Sequence, residues 1–144
     1  MEPSKHSTSR VADARLIDLP RHRGDNGSLT VIENSGAMPF LIKRVYYIYD
    51  VPTDEGRGGH SHHALEGLMV ALSGSFTVTL DDGKDRRVFT LDRPYRALYI
   101  PAGIWRTVEN FSSGAICMVA ASDKYDAADY VRDYSEFKKL TCDK

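Results

Sequence analysis

Short period-two stretches of apolar and polar residues, divided by turn residues, run from residue 28 to residue 121. The segments 28–33 (SLTVIE), 40–49 (FLIKRVYYIY), 67–72 (GLMVAL), 75–80 (SFTVTL), 86–91 (RRVFTL), 97–101 (ALYIP) and 115–121 (AICMVAA) are rich in β-branched and aromatic residues and are predicted strands. Ser73-Gly74, Asp81-Asp82-Gly83, Asp92-Arg93-Pro94 and Ser112-Ser113-Gly114 mark turns between them. Asp82-Gly83, between two alternating runs, predicts a hairpin. Ala14 to Leu19 is also strand-like. Only the tail 125–139 (YDAADYVRDYSEFKK) has a helical pattern, as one or two short turns. Many short strands at regular spacing predict an all-β sandwich or barrel with a short C-terminal helical segment. A flexible stretch over 1–12 is expected to precede a single domain over 13–144.

Composition narrows the function classes. With 144 residues the chain has one domain's worth of core, and a net charge of −1 gives no field to attract nucleic acid or an anionic membrane. The first residues, MEPSKHSTSR, lack the apolar run of a signal peptide, and no apolar stretch is long enough to span a bilayer. The two cysteines, Cys117 in an apolar run and Cys142 in a polar tail, do not suggest a disulfide. A cytoplasmic enzyme or binding protein is expected, with no nucleic-acid and no membrane partner.

The chemistry concentrates in Arg57-Gly58-Gly59-His60-Ser61-His62-His63-Ala64-Leu65-Glu66. On a strand, His60 and His62 share one face, and His63 takes the other. The apolar strand that follows suggests that the pair points inward. Three readings stay open: a metal site with Glu66, acid–base catalysis, or imidazoles satisfied by local hydrogen bonds. In Pro101-Ala102-Gly103-Ile104-Trp105-Arg106, Arg106 stands where a third imidazole would complete a metal shell. A guanidinium has no lone pair to donate and repels a cation, so the expected metal content is none.

The run His60-x-His62-x3-Glu66, followed by Pro101-x-Gly103, resembles the cupin signature, without its leading glycine at Asp54. IKRVYYIYD (42–50), RGGHSHH (57–63), LSGSFTVTLDDG (72–83), the Trp105 region, NFSSG (110–114) and ASDKYDAADYVRDYSEFKK (121–139) resemble one group of cupins. These are the TDP-4-oxo-6-deoxy-D-glucose 3,4-ketoisomerases. The chain departs from them at Asn26, where an arginine is usual, and at Arg106, where a histidine is usual. The resemblance implies a single-domain cupin, a jelly-roll β-barrel working as a homodimer. It implies a metal-independent isomerase of nucleotide-linked sugars, with no cofactor, in deoxyamino-sugar biosynthesis of the kind that feeds lipopolysaccharide O-antigen. Its substrate would be a thymidine diphosphate sugar. His60 and His62 would be catalytic, and Arg44, Tyr46, Arg57, Trp105 and Arg106 would bind substrate. Of these, Arg44 and Tyr46 share a strand face by the period-two rule, and a guanidinium such as that of Arg57 matches diphosphate oxygens. Trp105 offers a flat face to the base or sugar, and Glu66 is left to orient a histidine. Two alternatives remain: a metal-dependent cupin enzyme, and a cupin that binds a nucleotide sugar without turning it over. For the homodimer, the edge segment Ala14 to Leu19 is the expected pairing surface.

Overall fold

The alternating segments become strands in the order β1 (Arg15–Asp18), β2 (Arg21–Gly24), β3 (Gly27–Thr30), β4 (Arg44–Ile48), β5 (Arg57–His62), β6 (Gly67–Ser73), β7 (Phe76–Asp81), β8 (Arg86–Leu91), β9 (Arg96–Ile100), β10 (Trp105–Glu109), β11 (Ile116–Ala121) and β12 (Tyr130–Val131), followed by one helix, α1 (Tyr134–Leu140). The structure, a computed structural model, describes residues 9–52 and 54–141. Two antiparallel five-stranded sheets, β1-β9-β6-β11-β4 and β12-β5-β10-β7-β8, face each other, and β2 and β3 form a separate exposed hairpin. This is the all-β cupin jelly roll expected from the resemblance, with its two sheets not closed into one hydrogen-bonded ring.

Alternation decides what each face buries. Met69, Ala71, Leu98, Cys117 and Val119 of the first sheet meet Phe76, Val78, Leu80, Leu91 and Val108 of the second in the main core. The opposite face of the first sheet carries Leu68, Val70, Ala97 and Ala120, which Ile32, Met38, Phe40 and Ile42 cover. That second use of apolar residues explains why β4 is shorter than the 40–49 segment. Phe40 and Ile42 pack onto the sheet instead of extending it. The Asn34 side chain takes both backbone groups of Ile42, accepting from its N–H at 2.7 Å and donating to its carbonyl at 3.2 Å. The tail is likewise more broken than its helical pattern: a 3-10 turn at Ala127–Asp129, then β12, then α1.

Of the stretch 1–12, the structure describes residues 9–12. Val11 is buried, and the backbone N–H of Val11 and the Arg10 guanidinium both donate to the Asp82 carboxylate, at 2.8 and 3.0 Å. Asp82 also accepts from the N–H groups of Lys84 and Asp85. Burial alone would raise its pKa, but these backbone donors, with Arg10, hold the carboxyl well below the usual range. From the other end, the Lys138 ammonium donates to the Gly83 carbonyl at 2.6 Å, and the Tyr134 hydroxyl donates to Asp81 at 2.6 Å. Gly83 has φ +95°, and a Cβ there would lie 2.2 Å from Thr141 Oγ1, so only glycine fits. Cys117 is a free thiol, and burial pushes its pKa up to about 12; Cys142 lies outside the described residues.

Candidate active site

A glycine bulge on β5 shapes the site. Arg106 of β10 pairs with His60, but the next residue, Thr107, pairs with Gly58, so Gly59 is left over. Gly59 has φ +73°, a left-handed conformation that suits glycine. Residues directly opposite in an antiparallel pair share a face, so His60 lies on the face of Arg106, and Arg57, opposite Val108, returns to it. Strict alternation would have put Arg57 and His60 on opposite sides.

That face opens into a cavity of about 580 Å³ between the sheets. Arg44 and Tyr46 from β4, Arg57 and His60 from β5, and Arg106 from β10 all line it, so five of the expected site residues converge. Sequence reasoning missed Tyr130 and Arg132, which line it from the tail. Met69, Val108 and Val119 supply an apolar wall, and among the described residues no carboxylate lines this cavity. Four guanidinium groups therefore face one space. Arg106 is 3% exposed, and among the described residues its guanidinium donates only to the Ile104 carbonyl, at 3.2 Å. Among the described residues, its Nε and one terminal nitrogen of Arg44 are buried without a hydrogen-bond partner. Arg44 instead stacks on Tyr46, 4.6 Å from the ring centroid.

The two histidines differ in depth. His60 lines the cavity, whereas His62 is 1% exposed and lies behind it, with ring centroids 4.9 Å apart and edge-on. Tyr130 packs against both rings. Burial, followed by the charges of Arg106 and Arg132, lowers the pKa of His60 to about 3. Burial, Arg106, His60 and the other arginines lower that of His62 to about 2. The Asp129 carboxylate lies 3.2 Å from His62 Nδ1. Both imidazoles are neutral at pH 7. Burial also raises the Tyr46 hydroxyl, with Arg106 opposing it.

A neutral buried histidine makes stability depend on pH. The unfolded chain takes up these protons near pH 6.5, but the folded chain does so only near pH 3 and below. Between those values the unfolded state binds more protons, so stability falls as pH falls, by up to roughly 1.4 kcal/mol per pH unit for each histidine. Urea unfolding at about pH 7 and about pH 4.5 checks this against a His60→Gln/His62→Gln variant. The wild type should lose more stability; equal losses would clear the histidines as the cause.

Two expected placements are corrected. Trp105 does not face the cavity. It neighbours Arg106 on β10, and adjacent strand residues point to opposite faces. It is 9% exposed and packs with Val131 and Phe137 under α1. Glu66 orients neither histidine: it is on the face of Leu68, where the Tyr99 hydroxyl donates to it. Asn26 is exposed in the β2–β3 turn and is not on the cavity wall. Ala14–Leu19 contributes β1, which pairs with β9 of its own chain. Among the described residues, no group of three or more His, Cys, Asp or Glu side chains converges as a metal shell requires.

Residues 12–142 match the family model described as "FdtA: WxcM-like, C-terminal". The chain is 45% identical over 125 residues to the TDP-4-oxo-6-deoxy-alpha-D-glucose-3,4-oxoisomerase of Aneurinibacillus thermoaerophilus, covering 87% of this chain and 90% of that one. A 3,4-ketoisomerase from Helicobacter canadensis has the same fold with a TM-score of 0.87 at 40% identity, covering 91% of this chain and 98% of that one. QdtA, a sugar 3,4-ketoisomerase from Thermoanaerobacterium thermosaccharolyticum solved with TDP, gives a TM-score of 0.88 at 35% identity, covering 92% of this chain and 96% of that one. With the match running through both sheets, the histidine strand and the tail, this chain belongs to the FdtA family of WxcM-like, C-terminal domains.

Proposed function

We propose that this chain is a sugar-nucleotide 3,4-ketoisomerase, which moves the carbonyl of a TDP-4-oxo-6-deoxyhexose from carbon 4 to carbon 3 through an enediol. One observation carries the reading: a neutral histidine, His60, shares a cavity wall with a buried arginine that has no carboxylate partner, Arg106. The ketone acidifies the hydrogen on carbon 3. His60 takes it as a proton, the hydroxyl proton passes from the oxygen on carbon 3 to the oxygen on carbon 4, and the first proton returns at carbon 4, leaving the carbonyl at carbon 3. Arg106 stabilises the oxygen that gains negative charge between the two steps. Arg44, Arg57 and Arg132 meet the diphosphate, for which a wall of cations without carboxylates is suited.

In this reading the reaction uses no metal and no cofactor. The enzyme works in the cytoplasm as a homodimer, in deoxyamino-sugar synthesis of the kind that feeds O-antigen. β1 uses one edge for β9 and keeps its other edge for a second copy. Among the described residues, no helix is long and apolar enough to cross a membrane.

Incubation with TDP-4-oxo-6-deoxyglucose in heavy water, followed by proton NMR, tests the reading, with light scattering for the oligomer. A 3-oxo product should form at a rate that chelators leave unchanged. Binding without turnover would instead favour a non-catalytic nucleotide-sugar barrel, and chelator-sensitive turnover a metal-dependent enzyme.

A further inference from the structure

His62 touches no wall of the cavity, yet it is buried against the residue that does. Its surroundings are cationic or aromatic except on one side. Arg106 of β10, Arg44 of β4, Tyr130 of β12, Arg132 just after it and His60 of β5 surround it. The exception is Asp129, whose Oδ2 lies 3.2 Å from His62 Nδ1. The contact falls short of a hydrogen bond, and among the described residues neither His62 nitrogen has a hydrogen-bond partner. Catalytic hydrogen bonds in ligand-free sites are often loose in this way and tighten with substrate.

The backbone holds Asp129 in place. Its Oδ1 accepts from Ala64 N–H at 2.9 Å and its Oδ2 from Leu65 N–H at 3.1 Å, while its carbonyl accepts from His63 N–H at 2.9 Å. The tail is thus pinned to the residues just after His62, and two backbone donors set the direction of the carboxylate. A carboxylate only accepts, so the facing nitrogen must carry a proton.

We propose that Asp129 is a positioning residue of this site: its carboxylate holds His62 in the Nδ1–H tautomer, keeps the Nε2 lone pair free, and so fixes the ring against which His60 is set. Only the rate readout below rests on the ketoisomerase reading.

Nitrogen-15 NMR of histidine-labelled protein tests it directly. In the wild type, His62 should show a protonated Nδ1 and an unprotonated Nε2. In Asp129→Asn the amide can still accept from Ala64 N–H, but its NH2 faces Nδ1. The tautomer should therefore switch to Nε2–H, as a donor opposite Nδ1 demands. With TDP-4-oxo-6-deoxyglucose, kcat should fall roughly 10- to 100-fold, the usual effect of removing an outer partner, while KM and TDP affinity stay within about twofold. Asp129→Glu should recover much of the rate and the Nδ1–H signature, which a purely structural loss would not show. An unchanged tautomer in Asp129→Asn overturns the proposal. So does a switched tautomer with wild-type kcat. If the wild type itself does not isomerise the sugar, the ketoisomerase reading fails, and the tautomer measurement still decides the role of Asp129.

Discussion

His60→Asn is expected to keep the fold and the grip on TDP while losing turnover by about 100- to 10,000-fold, the worth of a positioned acid–base group. His60 is the imidazole on the cavity wall, and asparagine fills a similar volume without a titratable nitrogen. The environment keeps this base in its working form. Burial and Arg106 lower its pKa to about 3, so in the free enzyme it is unprotonated from mildly acid pH upward. The profile of kcat/KM should therefore show no acid limb near pH 6.5, where an ordinary histidine titrates. His62→Asn should lose less, because His62 sits behind His60. Wild-type turnover in His60→Asn, or a larger loss in His62→Asn, would reverse the assignment.

Arg106→Met is expected to slow the reaction by about 100- to 1,000-fold, as removal of one donor to a developing oxyanion does. Its effect on stability should have the opposite sign. Arg106 is buried, and among the described residues its Nε has no hydrogen-bond partner and its guanidinium bonds only the Ile104 carbonyl. Burial disfavours its charge, and the opposing pull of Tyr46, Tyr130 and Asp129 does not offset it. An apolar side chain of similar length relieves that cost, so the melting temperature should hold or rise. Steady-state rates and thermal melts on the same preparation check both halves. A large drop in both would make Arg106 part of the frame and not of the chemistry.

Much of this architecture was legible because alternation is a local property. The runs around Met69, Val78, Phe89 and Val119 are strands of the main core as their patterns require. The site was legible where the same rule applied, as with Arg44 and Tyr46. Trp105 shows the rule neglected: a residue beside an inward Arg106 has to point outward. Arg57 shows the rule broken, because the bulge at Gly59 shifts its face and cannot be read without the partner strand. Asp129, Tyr130 and Arg132 were hidden for another reason. They join the site through β12, two residues long, paired with a strand roughly seventy positions earlier. No local pattern carries that pairing.

The β7–β8 turn holds more than a hairpin. Arg10 and Val11 fasten to Asp82, and Tyr134 and Lys138 fasten to Asp81 and Gly83. Both ends of the described chain are buckled to one four-residue loop. Releasing either end strips partners from a carboxylate that is almost wholly buried, which makes local fraying costly. The two ends are thus coupled in their opening, and the amides of Lys84 and Asp85, which donate to Asp82, are where hydrogen exchange would read it.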